Sequence, residues 1–124
     1  MGKILIVDDS ELTRFLLSKI LTSGGHEVVG EAGDGLEALQ KVKETEPDVV
    51  ILDLLMPRMR GTQALVEIRK INPRIRVVVC SGDHQEHTVR DLVKKGASGF
   101  IIKPFKKDAV LQEIDSVMAG LQGS

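Results

Sequence analysis

The chain has no tryptophan, no tyrosine, three phenylalanines and a single cysteine in 124 residues. So few rings leave little to stack on an isoalloxazine, which argues against a flavin-binding electron carrier. The lone Cys80 cannot close an intrachain disulfide, and the N-terminal MGKILIVDDS lacks the apolar core and small-residue cleavage site of a secretory signal. A reducing cytoplasm is therefore the expected compartment. Charge of one sign is also lacking, with 17 basic and 18 acidic residues and a net charge of −1. That balance gives no electrostatic reason for direct nucleic-acid or membrane binding as the main activity. No apolar run approaches the length that spans a bilayer, so a soluble protein is expected.

What is present is a single domain's length of chain in which short apolar runs alternate with longer amphipathic segments. The runs Ile4 to Val7, Val49 to Leu52, Val77 to Cys80 and Phe100 to Ile102 show no polar alternation, as strands buried on both faces require. A fifth run, Glu27 to Glu31, is flanked by charge and fits a sheet edge. Between them lie helical stripes: Leu12, Leu16 and Ile20; Leu36, Leu39 and Val42; Leu65, Ile68 and Ile71; Val89, Leu92 and Val93; then Val110, Leu111, Ile114, Val117 and Met118. Each stripe predicts one buried helix face. Ser10, Asp34 and Asp83 stand where N-caps belong, the last with Glu86 in capping-box spacing, and Gly24 and Gly96 follow helix ends. Five βα units result, an α/β pattern that right-handed crossovers wind into a parallel sheet covered on both faces. The domain is expected over residues 1–120, with 121–124 a frayed tail or the stump of a linker.

Four of these runs end on polar residues: Asp8 and Asp9, then Asp53, Ser81 and Lys103. A parallel sheet gathers its strand C-termini along one edge, and in a doubly wound order the first and third strands are neighbours there. Three carboxylates would meet. Their mutual repulsion calls for a cation, and Mg²⁺ suits a site of carboxylates, water and phosphate oxygens. A carboxylate beside such a metal can attack phosphorus and form an acyl phosphate. Asp53 would attack, Lys103 would hold one phosphoryl oxygen and Ser81 would donate to another. Taken singly, Asp8 and Asp9 can also be strand-end caps, Lys103 a surface lysine, and Ser81 with Gly82 a turn.

Together these residues resemble the response-regulator receiver domains of two-component signalling. The resemblance rests on Asp8-Asp9, on Asp53-Leu54-Leu55-Met56-Pro57 with Gly61, on Ser81-Gly82, and on Lys103-Pro104-Phe105, and it runs from Lys3 to about Met118. Among them the chain is most similar to the stand-alone chemotaxis regulators. The resemblance implies a flavodoxin-like sheet of order 2-1-3-4-5 with five helices. It implies Asp53 as phosphoacceptor, with Lys103 and Ser81 assisting, and Mg²⁺ held by Asp8, Asp9, Asp53 and the Leu55 carbonyl. It further implies a switch made of Ser81 and Phe100, a cis peptide at Pro104, a histidine kinase or phosphotransfer protein as donor, and a downstream target protein docking on the fourth helix, fifth strand and fifth helix. A receiver of this kind catalyses only its own phosphorylation and dephosphorylation.

The chain departs from the usual pattern at Arg58 and Arg60, at Phe100 in place of a frequent tyrosine, and at Leu55, which cannot orient a hydrolytic water. Slow self-dephosphorylation is expected from the last. His84 and His87 lack further metal ligands nearby, Cys80 reads as a small buried hydrophobe, and the glycines at 30, 33 and 35 read as turns rather than a dinucleotide fingerprint. Arg90, Lys94, Lys95, Lys106 and Lys107 form a basic set that is either a solvated face or an invitation to an acidic partner. The competing readings are a receiver cut from a larger regulator with an output domain, and an Asp-dependent Mg²⁺ phosphotransferase acting on a small substrate.

Overall fold

A computed structural model describes residues 2–54, 61–82 and 86–122, without the side chains of 86–89, 121 and 122. The elements run β1 (Lys3–Val7), α1 (Glu11–Ser23), β2 (Glu27–Ala32), α2 (Gly35–Thr45), β3 (Val49–Asp53), α3 (Gly61–Ile71), β4 (Arg76–Ser81), α4 (Glu86–Lys94), β5 (Gly99–Ile102) and α5 (Lys107–Gln122). The strands form one parallel sheet in the order β2-β1-β3-β4-β5. This is the expected α/β arrangement, with β2 at an edge.

The sheet is covered on both faces because adjacent strand residues point to opposite sides. Leu5, Val7, Val50, Leu52, Val77 and Val79 face α2, α3 and α4, meeting Ala38, Val42, Leu65, Ile68 and Leu92. Ile4, Ile6, Val49, Ile51, Val78 and Cys80 face α1 and α5, meeting Leu17, Leu21, Val110 and Ile114. Each such fully buried side chain contributes roughly 1.5–3 kcal/mol relative to exposure. Uninterrupted apolar strands follow from there being no solvent face to write polar residues on.

Local signals fix the helix ends. The Ser10 side chain accepts the Thr13 N–H at 3.2 Å, and Asp34 accepts the Glu37 N–H at 2.9 Å. Gly24 closes α1, while α2 ends at Glu46 in the left-handed region with Pro47 behind it. Asp83 lies outside the described residues.

Three readings need correction. On α1 the buried residues are Leu17 and Leu21, whereas Leu12 is 67% and Leu16 49% exposed, with Phe15 at 54%. The four-residue spacing selected a stripe one residue away from the one that faces the sheet. On α2, α3 and α4 the expected stripes do face the core through Val42, through Leu65 and Ile68, and through Leu92, and only their members Leu36, Ile71 and Val93 turn out to be exposed. Gly30 and Gly35 are not turn residues: Gly30 lies within β2 beside an irregularity in its pairing with β1, close against Leu5, and Gly35 opens α2.

Candidate functional site

The C-terminal ends of β1 and β3 bring together Asp8, Asp9 and Asp53, each offering a carboxylate oxygen within 4.8 Å of the others. Asp53 is the last residue of β3, paired with Cys80, and only 5% exposed; Asp8 is 2% exposed; Asp9 projects to solvent. Strand placement fixes the direction of Asp53, because Leu52 before it must enter the opposite side of the pleat.

Lys103 reaches this cluster from the end of β5. Its Nζ lies 3.4 Å from Asp8 Oδ2 and 3.3 Å from Asp53 Oδ1. Partial burial pulls the ammonium's pKa down, but attraction from Asp53 and then Asp8 outweighs it, so the net shift is upward from 10.5. Lys103 therefore stays charged. With all three carboxylates ionised, one ammonium leaves two negative charges unbalanced. At this separation each like-charge pair repels by roughly 4 kcal/mol in a medium of intermediate dielectric, so the site favours a hard cation. The donor set, all carboxylate oxygen and open at Asp9, fits Mg²⁺.

Backbone pairing aims the remaining groups. The Lys103 N–H donates to the Ser81 carbonyl at 3.0 Å, tying the lysine to the end of β4. Ser81 follows Cys80, which pairs with Asp53, so its hydroxyl-bearing residue stands one step beyond the carboxylate. The Lys103–Pro104 peptide is cis. Gly61 leaves room where a Cβ would collide with the Asp53 carbonyl and the Leu54 Cα.

These features belong to a known family. The chain matches the response regulator receiver domain over residues 4–115. It is a receiver domain of two-component signalling. It is 45% identical over 118 residues to the chemotaxis protein CheY of Thermotoga maritima, covering 94% of this chain and 98% of that one. It is 43% identical over 116 residues to the CheY of Bacillus subtilis, covering 94% and 97%. The CheY in a CheX-CheY-BeF3-Mg²⁺ crystal structure from Borrelia burgdorferi superposes with a TM-score of 0.90 at 40% identity, covering 94% of this chain and 88% of that one. The strand order seen here is the one long known for flavodoxin and CheY.

The receiver thus assembles Asp8, Asp9, Asp53, Ser81 and Lys103 at one edge, as the sequence led us to expect. Phe100 is half-buried against the α2–α3–α4 side of the sheet. Leu55, whose carbonyl was expected to ligate metal, lies outside the described residues, as do Arg58, Arg60 and His84; the His87 side chain does too. Cys80 is buried, and burial pushes its thiol pKa up despite the opposing pull of Lys103.

Arg14 escaped the sequence reading. Its Nη1 donates to the Asp8 carbonyl at 2.5 Å and its Nε to Glu31 Oε1 at 2.9 Å, while the Ser10 N–H donates to Asp8 Oδ1 at 2.9 Å. The loop carrying Asp8 and Asp9 is held from both sides. A signal existed: Arg14 is a cation in the first turn of α1, where the helix dipole disfavours it and a specific acceptor must compensate.

Proposed function

We propose that this receiver accepts a phosphoryl group on Asp53 from the phosphohistidine of a histidine kinase or phosphotransfer protein. An Asp53 oxygen forms a bond to phosphorus as the phosphorus–nitrogen bond of the donor breaks, giving an aspartyl phosphate and neutral imidazole after proton uptake. The observation that carries this reading is Lys103 Nζ at 3.3 Å from Asp53 Oδ1. It places a permanent positive charge where phosphoryl oxygens must arrive.

Asp8, Asp9 and Asp53 would hold Mg²⁺, together with the Leu55 carbonyl. When bound, the metal supplies the charge neutralisation that lets an anionic donor approach an anionic acceptor. Ser81 donates to a phosphoryl oxygen, and Phe100 turns as Ser81 moves. The chain is modified by its own chemistry and processes no separate substrate. Residues 1–120 carry this activity, although α5 continues to Gln122, past the expected start of the tail at 121.

The signal leaves through α4, β5 and α5. Arg90, Lys94, Lys106 and Lys107 are exposed there beside the exposed Val93 and Ile102. Lys95 pairs with Asp91 at 2.8 Å. An acidic partner with apolar side chains suits that surface. The CheY relatives favour a chemotaxis pathway, and the Borrelia complex is a precedent for a protein partner.

The test is phosphorylation by acetyl phosphate in Mg²⁺, followed by intact mass. One phosphoryl group should add to the wild type and none to Asp53→Asn. Modification persisting in that variant would overturn the assignment.

A further inference from the structure

β5 is an edge strand of the sheet, and α5 packs against it. Glu113 of α5 accepts the Phe100 N–H through Oε2 at 2.7 Å. The seat is tight, since a Cβ on Gly99 would lie 3.0 Å from the same oxygen and 3.1 Å from Val117 Cγ2. Glu113 also lines a cavity of about 200 Å³ with Arg76, Ser98 and Ser116. Into that polar space comes Arg76 of β4, whose Nε is buried and has no hydrogen-bond partner among the described residues. One carboxylate therefore holds a backbone amide while lining the same cavity as an arginine whose buried Nε–H lacks an acceptor among the described residues.

We propose that Glu113 is a positioning residue that exchanges between the Phe100 amide and Arg76, setting from α5 how firmly the β5 edge is held at Phe100. A buried guanidinium donor without an acceptor is costly, and a charge-assisted bond to carboxylate is stronger than one from an amide. The amide-bound state survives because its geometry is already tight. Two packings of similar free energy make a bistable element, which a phosphoryl group elsewhere in the sheet can bias. That last step alone rests on the reading of Phe100 as the residue that turns with Ser81.

Amide hydrogen exchange at Phe100, read by NMR with the Ile6 amide of β1 as a monitor of global opening, tests this in the unphosphorylated protein. Glu113→Ala should speed Phe100 exchange. Arg76→Met, which removes the rival donor, should slow it several-fold below wild type while Ile6 is unchanged. Glu113→Gln, which keeps an acceptor but loses the charge that draws Arg76, should slow it likewise. Rates at Phe100 equal to wild type in both Arg76→Met and Glu113→Gln would show a static cap and overturn the exchange. Should Arg76→Met accelerate Ile6 as well, Arg76→Gln and Glu113→Gln decide the matter by the same criterion. With acetyl phosphate and Mg²⁺, Phe100 exchange should rise in wild type and rise less in Arg76→Met. Confirmed mass addition with no change at Phe100 would refute the coupling, whereas absence of mass addition would count against the Asp53 reading and leave the resting-state comparison to decide the exchange.

Discussion

Lys103 shows how one side chain serves fold and chemistry together. Its contacts with Asp8 and Asp53 compensate two buried carboxylates, and removing a partner from such a set is costly because it strands charge. The raised pKa fixes the pH window. A group whose folded pKa lies above its unfolded value of 10.5 stabilises fully below 10.5, and the contribution disappears as pH climbs through the folded value. We expect the wild type to melt well above Lys103→Met at neutral pH without Mg²⁺, and the gap to close in strongly alkaline buffer. The chain has no tyrosine to titrate over the same range. A gap independent of pH would show that Lys103 acts by packing its stem rather than by charge. Asp8 and Asp9 differ for a related reason. Asp8 is bound by Lys103 and the Ser10 N–H, whereas Asp9 is exposed, so their replacement tests different things.

Among the elements, the strands were the most legible and the helix faces the least. A strand buried on both sides leaves an unbroken apolar run, and β1, β3, β4 and β5 each contain the run read from the sequence, extended by one or two residues. The acidic edge was legible for the same reason, since strand ends in a parallel sheet converge regardless of side-chain detail. Helix faces failed where apolar residues ring the helix. On α1, Leu12, Phe15, Leu16, Leu17, Ile20 and Leu21 offer two overlapping stripes, and periodicity alone does not choose between them. Contacts that join distant residues, such as Arg14 with Asp8 or Glu113 with Phe100, have no local pattern at all. The misassigned stripe has a consequence for function. Leu16 and Ile20 border a groove of about 730 Å³ with Thr13, Lys19, Lys103, Pro104 and Phe105, so the exposed apolar side of α1 adjoins the acceptor site. On the proposed reading, a protein donor covers that mouth to bring phosphorus to Asp53. Phe15→Ala with Leu12→Ser should therefore slow phosphoryl transfer from a kinase or phosphotransfer protein by tenfold or more, about 1.4 kcal/mol, while leaving the rate with acetyl phosphate unchanged. Equal slowing with both donors would mean that the variant disturbs the site itself. Ser81→Ala separates chemistry from output on the other side of the sheet. It should leave Asp53 phosphorylated yet abolish the gain in partner affinity, about 1–3 kcal/mol for a typical allosteric coupling.

For the whole molecule, the acidic cluster couples the two faces of the sheet. β1 and β3 contribute alternate residues to both cores, and their C-terminal ends carry Asp8, Asp9 and Asp53. Repulsion among these carboxylates acts at the ends of strands that belong to both cores, so it loads the entire cooperative unit rather than a loop. A cation that binds the folded cluster and not the unfolded chain must then raise global stability, by roughly 2.7 kcal/mol when present at about a hundred times its dissociation constant. Denaturant unfolding with and without Mg²⁺ measures this, and the midpoint should rise with metal while the slope stays fixed. Asp9→Ala should erase the metal-dependent rise and, by removing repulsion from an exposed position, leave the metal-free protein as stable as wild type or more so. Asp8→Ala should instead lower metal-free stability, because the Lys103 ammonium and the Ser10 N–H lose an acceptor they hold in the folded state. If Mg²⁺ left the wild-type midpoint unmoved, or if Asp9→Ala kept the full response, the cluster would be a purely structural arrangement of charge and the metal reading would fail.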